Sequence, residues 1–270
     1  MAEFKDKVII VTGASEGIGR ALCLALAPQK PKLVLAARNH ERLNELKDEL
    51  KGQGVESLVV PTDITEKQQC RELIEKTVER FGRLDVLVNN AGMGQWTLLE
   101  QIKDPSFYET IMKTNFLGGA YCTYYALPHL KKTKGRLVAV ASGLGFFPTP
   151  THTGYCASKH AMIGFYGALR MEIKDSGVSI TVIAPGFVAT EVHKRSLGPS
   201  GEPLGHNPAA AEKYRPVEKE AADIVKAMEK RKRLLLTSPG GGVARVLYPI
   251  FPDLIEGIIA KDFVPVNAND

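Results

Sequence analysis

The sequence predicts an α/β protein built as one doubly wound parallel sheet of about seven strands, with helices on both faces. Short apolar, β-branched runs alternate with longer helical patterns along residues 7–237. The runs are continuously apolar, which is typical of parallel strands buried on both faces. A glycine-rich turn follows the first run, where such sheets bind ligands. The 270 residues suit a single domain, so we expect one domain over residues 1–270.

The strands are predicted from runs such as KVIIV at residues 7–11 and KLVLAA at residues 32–37. Each run is short, rich in Val, Ile and Leu, and followed by turn or polar residues. Right-handed crossovers between such strands give a doubly wound sheet. The predicted strands are residues 7–11, 32–37, 57–60, 84–88, 136–141, 179–184 and 234–237.

The intervening helices are predicted from apolar residues that recur every three or four positions. In residues 40–51, for example, Leu43, Leu46 and Leu50 fall on one stripe. The helix over residues 66–81 follows Thr65, whose hydroxyl suits an N-cap. The predicted helices are residues 18–27, 40–51, 66–81, one or two helices within 105–131, 154–174 and 217–232.

Composition excludes several classes of function. Apolar residues make up 44% and charged residues 24%, and the net charge of +5 is too small and scattered to indicate a nucleic-acid partner. Four cysteines without CxxC spacing indicate free thiols, and six histidines without HxH or HExxH predict no metal site. No signal peptide or apolar run of about 18 residues is present, so we expect a cytoplasmic protein.

The stretch VTGASEGIG, residues 11–19, lies at the turn from the first strand into the first helix. Its three glycines tolerate a positive φ and let a ligand approach the backbone closely. The amides of the helix N-terminus then face the ligand, which suits a pyrophosphate. The alternative is a tight turn without a ligand. The spacing G-x-x-x-G-x-G differs from the usual dinucleotide fingerprint, G-x-G-x-x-G.

Further motifs follow in a fixed order along the chain. They are TGASEGIG at residues 12–19, NNAG at 89–92, Asn115 in a helix, Ser142 after the fifth strand, YCASK at 155–159 and PGFVAT at 185–190. Together they span residues 7 to about 190, and this region resembles the short-chain dehydrogenase/reductase family. The resemblance implies a Rossmann-type fold, a nicotinamide cofactor and an oxidoreductase of the carbonyl reductase or hydroxysteroid dehydrogenase kind.

The residue after the second strand indicates which nicotinamide cofactor binds. An NAD site usually places an acidic residue there, but this strand ends Ala37-Arg38. The Arg38 guanidinium suits a 2′-phosphate, with Ser15 as a further donor, so we expect NADP(H) rather than NAD(H). Glu16 would repel that phosphate, and Arg38 could instead be a solvated residue. The resemblance implies a cofactor site of Gly13, Ser15, Gly17, Ile18, Gly19, Arg38, Asp63, Asn89, Ala91, Gly92, Tyr155, Lys159, Pro185, Gly186, Val188 and Thr190.

Tyr155 and Lys159 are four residues apart in a helical pattern and therefore share a face. A nearby ammonium group lowers the pKa of a phenol, so we expect Lys159 to make Tyr155 an effective general acid or base. By the resemblance, Ser142 donates a hydrogen bond to the substrate oxygen, Lys159 also binds the nicotinamide ribose, and Asn115 binds a water that links Lys159 to solvent. The implied catalytic residues are Asn115, Ser142, Tyr155 and Lys159.

The substrate pocket is expected from two loops with large apolar residues, GLGFFP at 143–148 and MGQW at 93–96. An apolar pocket favours a steroid, lipid or acyl substrate, unless these rings pack a lobe or a subunit contact instead. His152 and His193 could also reach this cleft. The predicted substrate-binding residues are Ser142, Gly143, Phe146, Phe147, Trp96 and Tyr155.

Two segments follow the core. Residues 191–216, rich in Pro, Gly and charge, match the lid that covers the substrate in the family. Residues 217–270 contain the last helix, the last strand and an apolar tail. The tail could pack on its own domain or on a second subunit, which we favour; it could also cap the substrate site or rest on a membrane surface.

The leading functional hypothesis is an NADP(H)-dependent oxidoreductase (EC 1.1.1.-) acting on a small-molecule ketone or secondary alcohol. A 3-oxoacyl thioester reductase is the alternative within the same chemistry. A cofactor-binding sensor without turnover is the alternative from another class. The family also leads us to expect a homodimer or homotetramer.

Overall fold

The computed structural model describes residues 2–207, 214–238 and 240–262. Its strands are β1 Val8–Thr12, β2 Lys32–Ala37, β3 Ser57–Pro61, β4 Val86–Asn89, β5 Arg136–Val140, β6 Ser179–Ala184 and β7 Leu234–Leu236. In this part of the chain they form one sheet of seven parallel strands in the order β3-β2-β1-β4-β5-β6-β7. The predicted doubly wound fold is therefore confirmed. The strand order reverses between β1 and β4, and ligands of such sheets bind at that point.

Helices connect the strands. They are α1 Gly17–Leu26, α2 His40–Gly52, α3 Lys67–Phe81, α4 Phe107–Met112, α5 Gly118–Thr133, α6 Thr153–Glu172, α7 Val217–Glu229, α8 Gly241–Leu247 and α9 Pro252–Asp262. A π-helical turn, Lys113–Leu117, joins α4 to α5, so the region predicted as one or two helices contains two α-helices with a π turn between them. Such turns are frequent at functional sites.

The core lies in two layers, one on each face of the sheet. Ile10 and Val34 face α3, α5 and α6, whereas Ile9 and Val11 face α1, α2 and α7. The alternation along β1 follows from the two-residue period of a strand. Both faces are covered, which explains why the strands are continuously apolar.

Several element ends differ from the sequence-based expectation. The helix predicted to follow Thr65 begins at Lys67, with Glu66 at the N-cap position. The amide and hydroxyl of Thr65 instead donate to Oδ1 of Asp63, at 2.9 and 2.8 Å. The prediction that Thr65 caps this helix was therefore wrong, because Asp63 forms a local turn that uses the Thr65 hydroxyl. By contrast, Asn39 caps α2 by accepting a hydrogen bond from the Arg42 amide at 3.0 Å.

The lid and the tail are described in part. Residues 191–207 of the lid form turns and short bridges, including one between Gln95 and Leu197. Residues 208–213 of the predicted lid and 263–270 of the predicted tail lie outside the described residues. In α8, α9 and the turn between them, six apolar side chains are more than half exposed: Val243, Val246, Ile250, Phe251, Leu254 and Ile258. Packing of the tail on its own domain is thus wrong for most of the stripe, although Ile255 is buried.

Candidate active site

One large cleft opens at the carboxyl ends of the strands and has a volume of about 590 Å³. This size is within the usual range of small-molecule and cofactor sites. The predicted residues that line it are Gly13, Ser15, Gly17, Ile18, Arg38, Asp63, Ala91, Gly92, Ser142, Tyr155, Lys159, Pro185, Gly186, Val188 and Thr190. The strand order thus brings five separate motifs to one cleft.

The glycine turn packs tightly against the end of β4. Gly13 has a φ of +65°, and a Cβ atom there would lie 2.9 Å from Cα of Ala91. A Cβ atom at Gly19 would collide with the carbonyl oxygen of Gly13. Gly19 therefore packs against the backbone of Gly13 inside the turn, whereas Gly13 and Gly17 line the cleft. A side chain at Gly13 or Gly19 would clash within the turn, and Gly17 has a φ of +52°, a conformation that favours glycine.

Two polar residues that the sequence reasoning missed hold this turn to β4. The Thr12 hydroxyl donates to the Val88 carbonyl at 3.2 Å and accepts from the Asn90 amide at 2.9 Å. The side-chain amide of Asn90 donates to the Thr12 carbonyl at 2.9 Å. Asn89 was expected to line the cleft, but its side chain is buried in the core and donates to Tyr166 and Thr123. Neighbouring residues of a strand face opposite sides, so only one of the two asparagines can reach the cleft.

The catalytic candidates are brought together by β5, α6 and the π turn. Ser142 directly follows β5, and Tyr155 and Lys159 lie on one face of α6. The Lys159 amine is 5.5 Å from the centre of the Tyr155 ring and donates to the Val140 carbonyl at 3.2 Å. Lys159 is only 4% exposed, so its charge lies deep in the protein.

Asn115 sits in the π turn beside this group rather than in the cleft lining. Its Oδ1 accepts from the Met93 amide at 2.8 Å, and its Nδ2 donates to the Met93 carbonyl and the Ser158 hydroxyl, both at 3.0 Å. A Cβ atom at Gly92 would lie 3.2 Å from Asn115 Oδ1 and 3.6 Å from the Lys159 amine. Asn115 therefore ties the loop after β4 to α6, and its link to Lys159 through a water stays a prediction.

Desolvation dominates the proton equilibria of the site. Burial raises the pKa of Tyr155 to about 12, while a hydrogen bond with Ser142 acts in the opposite direction. Burial lowers the pKa of Lys159 to about 8. We expected Lys159 to lower the pKa of Tyr155, but in this structure the cost of burying a phenolate is larger. The Tyr155 hydroxyl consequently holds its proton at neutral pH.

A buried glutamine, also missed from the sequence, holds the beginning of α6. Gln95 is fully buried, and its Oε1 accepts from the amides of Gly154 and Tyr155, at 2.7 and 3.0 Å. Its Nε2 donates to the Thr153 hydroxyl at 3.1 Å. A helix leaves its first amides unpaired, so this side chain acts as a cap supplied by a distant loop. No local sequence pattern indicates such a contact.

The large rings predicted for the substrate pocket pack within the protein. The Trp96 ring lies edge-on to His152 at 4.8 Å, and both residues are buried. The Phe147 ring packs over Gly143, and Phe146 lies under the Arg245 guanidinium at 5.2 Å. Gly143 and the three rings are not among the residues that line the cleft. The apolar lining of the cleft comes from other residues, including Met93 and Val192.

The two histidines near the cleft differ. His193 lines the cleft and contacts the Val188 carbonyl through Nε2 at 3.1 Å. His152 lies beneath the cleft, where burial lowers its pKa to about 4 and its Nδ1 donates to the Pro150 carbonyl at 2.8 Å. Both rings are therefore uncharged at neutral pH, because burial also lowers the pKa of His193.

Charged groups gather where β2 meets the glycine turn. Arg38, Arg42 and Glu16 line this end of the cleft, together with Arg195 of the lid. Both Arg42, at 2.5 Å, and Arg195 form ion pairs with Glu16. Within residues 2–207, 214–238 and 240–262, no carboxylate lies within ion-pair distance of Arg38. A bound phosphate would therefore meet an arginine that no described carboxylate neutralises.

Among the described residues, no three His, Cys, Asp or Glu side chains come together as candidate metal ligands. The helices in those same ranges are too short or too polar to cross a membrane. All four cysteines are buried free thiols.

Comparison with known proteins agrees with this geometry. A family model described as short chain dehydrogenase matches residues 7–198. The chain therefore belongs to the short-chain dehydrogenase family, and the resemblance inferred from its motifs is confirmed.

Curated relatives include several named after hydroxysteroid dehydrogenases. An 11-beta-hydroxysteroid dehydrogenase of Pinus massoniana is 37% identical over 204 residues, which cover 75% of this chain and 57% of the relative. An 11-beta-hydroxysteroid dehydrogenase-like 4A of Arabidopsis thaliana is 42% identical over 67% of this chain and 61% of its own. The chain thus spans less than two thirds of these relatives. A Dictyostelium discoideum protein named dehydrogenase/reductase SDR family protein 7-like is 32% identical over 96% of this chain and 83% of its own.

Solved structures show the same fold with both forms of the cofactor. An alcohol dehydrogenase of Thermococcus sibiricus, complexed with 5-hydroxy-NADP, has a TM-score of 0.75 at 29% identity and covers 86% of this chain and 95% of its own. A short-chain dehydrogenase/reductase of Burkholderia phymatum, in complex with NAD, has a TM-score of 0.83 at 25% identity and covers 99% of this chain and 100% of its own. The chain is thus similar to proteins that bind a nicotinamide dinucleotide, in one case the NADP form and in the other NAD.

Proposed function

We propose that the protein is an NADP(H)-dependent oxidoreductase that transfers a hydride between nicotinamide and a ketone or secondary alcohol. The observation that carries this proposal is that Ser142, Tyr155 and Lys159 line the same cleft as the glycine turn, with the Lys159 amine 5.5 Å from the centre of the Tyr155 ring. A proton donor and a second polar group thus flank one point where a substrate oxygen can sit. The family membership of the chain supports the same chemistry.

The residues of the cleft fit a nicotinamide dinucleotide. Gly13, Gly17 and the first amides of α1 offer the close backbone approach that a pyrophosphate needs. The cofactor would supply the hydride acceptor or donor, which is chemistry that no side chain provides. Lys159 would hold the ribose hydroxyls, and Gly92 lies beside it, since a Cβ atom there would be 3.6 Å from the amine.

Tyr155 is proposed to donate the proton when a carbonyl is reduced. Its pKa of about 12 means that the proton is present at neutral pH and is available to an oxygen that becomes an alkoxide. Ser142 would hold that oxygen while its negative charge develops. In the reverse direction Tyr155 must lose its proton. The cost of the buried phenolate would then be offset by the positive charges of Lys159 and of an oxidised nicotinamide ring.

The NADP(H) form is supported by the charges at the adenosine end. Ala37 leaves no carboxylate at the end of β2 for a ribose hydroxyl, and Arg38 is exposed toward the cleft. The Glu16 charge, which would oppose a phosphate, is compensated by two arginines.

The substrate proposed is a hydrophobic ketone or alcohol of steroid, lipid or acyl type. Met93 and Val192 give the cleft apolar groups, and curated relatives carry hydroxysteroid dehydrogenase names. A 3-oxoacyl thioester remains the alternative substrate class. A sensor without turnover is less well supported, because it would not need Ser142, Tyr155 and Lys159 in one cleft.

The experiment is a measurement of NADPH and NADH oxidation with a panel of steroid, aliphatic and 3-oxoacyl ketones. We expect turnover with NADPH, weaker turnover with NADH, and a loss of at least about 100-fold in kcat for Tyr155→Phe. Cofactor binding, measured by nucleotide fluorescence, should be little changed in that variant. Binding without turnover on any ketone would favour the sensor, and unchanged turnover in Tyr155→Phe would contradict the assigned chemistry.

Contacts beyond the chain are also proposed. The exposed apolar face of α8 and α9 supports assembly as a homodimer or homotetramer, with a peripheral membrane contact as the alternative. A cytoplasmic location stays a prediction.

A further inference from the structure

The carboxylate of Glu16 joins three segments at the mouth of the cleft. Glu16 is the N-cap residue of α1, within the glycine turn, and its side chain makes no capping hydrogen bond. Its Oε2 pairs with Arg42 in the first turn of α2, at 2.5 Å, and its Oε1 pairs with Arg195 of the lid. One side chain therefore connects the glycine turn, α2 and the lid. Local capping does not explain this arrangement.

Two residues after Arg195, the lid is held by backbone hydrogen bonds. The Leu197 amide donates to the Gly94 carbonyl at 3.0 Å, and the Trp96 amide donates to the Leu197 carbonyl at 3.0 Å. Gly94 is in close contact with Ser196, because a Cβ atom there would collide with the Ser196 hydroxyl. The lid is thus anchored firmly to the loop after β4.

The lid residues that precede Arg195 lie along the cleft. Glu191, Val192 and His193 line it, as does Arg195. Thr190 also approaches the glycine turn, since a Cβ atom at Gly17 would lie 3.5 Å from its methyl group. Because Glu16 of the glycine turn and Arg195 of the lid both line the cleft, their ion pair joins the turn to the lid beside a ligand seated there.

The attachment at Glu16 is the weaker of the two. The side chains of Glu16 and Arg195 are 32% and 44% exposed, so water and salt can compete for the pair. The adjacent Lys194 offers a natural comparison. It pairs with Glu191 at 3.0 Å, within the lid itself, and so carries the same charge without reaching the glycine turn.

We propose that Glu16 and Arg195 are positioning residues of the cofactor site: their ion pair fastens the lid across the cleft and slows the release of the bound cofactor. The proposal rests on the proposed function in that it takes the occupant to be a nicotinamide dinucleotide. Arg42 holds the second oxygen of Glu16 and so directs the first oxygen toward the lid. Neither Glu16 nor Arg195 takes part in hydride or proton transfer.

The test compares Arg195→Gln with Lys194→Gln, two variants that remove one positive charge from neighbouring positions. NADPH release is followed by stopped-flow fluorescence after a chase with excess oxidised cofactor. Arg195→Gln should release NADPH about two- to fivefold faster, the range for a half-exposed ion pair, whereas Lys194→Gln should release it at the wild-type rate. Arg195→Lys should restore most of the slow release of NADPH, and single-turnover hydride transfer in Lys194→Gln should equal that of the wild type.

A second measurement needs no cofactor. Hydrogen exchange of the amides in residues 191–197 of the free protein should be faster in Arg195→Gln and in Glu16→Gln, and Arg195→Gln should add nothing in the Glu16→Gln background. Equal effects of Arg195→Gln and Lys194→Gln, or no effect of either, would overturn the proposal. Failure of the wild-type protein to bind NADPH or NADH would refute the proposed function instead, and the exchange data would still decide whether the ion pair holds the lid.

Discussion

Lys159 is held in the active site at a cost to stability, whereas Tyr155 is buried as a neutral phenol. Both groups lie in a region where desolvation outweighs favourable contacts, and their pKa values move in the directions that oppose ionisation. For Lys159 the contacts are modest, a carbonyl at 3.2 Å and the Met162 sulfur at 3.6 Å. A residue that packed only for stability would not carry a charge here.

Replacing Lys159 by methionine should therefore stabilise the fold while it abolishes turnover. The pKa of Lys159 falls from 10.5 to about 8 on burial, so below pH 8 the folded protein carries the full penalty of a buried ammonium. We expect Lys159→Met to be more stable than wild type at pH 7 by up to about 3 kcal/mol. Chemical denaturation at several pH values measures this difference.

The pH dependence has a defined sign. Between pH 8 and 10.5 the folded protein loses the Lys159 proton while the unfolded chain keeps it, so the wild type gains stability relative to the variant. The advantage of Lys159→Met should therefore shrink across this window. Lys47→Met, at an exposed position of α2, should show no such trend. A variant that is less stable than wild type at pH 7 would contradict this account.

At the scale of elements, α6 depends on a side chain from outside the helix. Gln95 accepts two of its first amide hydrogen bonds, including that of Tyr155. The cap fixes the start of the helix and with it the position of the Tyr155 ring. The loop that carries Gln95 is in turn bonded to the lid through Leu197.

Gln95→Leu should accordingly weaken both stability and catalysis. The substitution leaves the amides of Gly154 and Tyr155 without their acceptor beneath the protein surface. We expect a loss of about 2 kcal/mol in the free energy of unfolding. Displacement of Tyr155 should lower kcat by about tenfold, with a smaller effect on the KM for the cofactor. Gln95→Glu keeps an acceptor for both amides and should retain more activity. Gln68→Leu, on the exposed face of α3, serves as control, and normal kcat in Gln95→Leu would exclude a positioning role.

The sequence could predict the elements more readily than their ends or their distant contacts. Apolar runs and the Leu43, Leu46 and Leu50 stripe indicate strands and helices because burial imposes their periods. The first residue of α3 depends on whether Asp63 or Thr65 accepts the local hydrogen bonds, and composition does not decide this.

In the candidate site, too, local motifs could be predicted from the sequence and distant contacts could not. The cleft-lining glycines and the positions of Tyr155 and Lys159 could be predicted because their motifs are local. The choice between Asn89 and Asn90 requires the face of β4, which the two-residue period of the strand could have indicated. Arg195 and Gln95 could not be predicted in this way. Each contacts residues that are distant in the sequence, and these contacts depend on how the lid and the loop after β4 fold.

At the scale of the whole molecule, most of the exposed large apolar side chains of the described residues lie on α8, α9 and the turn between them. Ile250 is 63% exposed and Leu254 is 58% exposed, in a region where only Ile255 among the apolar side chains is buried. Isolated apolar residues on a surface need no explanation, but a contiguous group of this kind marks an interaction site. The acidic residues Asp253 and Glu256 on α9 would be repelled by an anionic membrane surface. A second copy of the chain is therefore the partner that this face favours.

The double variant Ile250→Glu with Leu254→Glu should convert an oligomer into a smaller species, because like charges would be buried at the contact. Molar mass from light scattering with size-exclusion chromatography measures this at several concentrations. Tyr124→Glu, on α5 and 74% exposed, is the matched control for an apolar surface position and should leave the mass unchanged. Loss of assembly in Tyr124→Glu alone would place the contact on the long helices. An unchanged mass in the double variant, together with lost binding to neutral phosphatidylcholine vesicles, would show that α8 and α9 contact lipid rather than a second subunit.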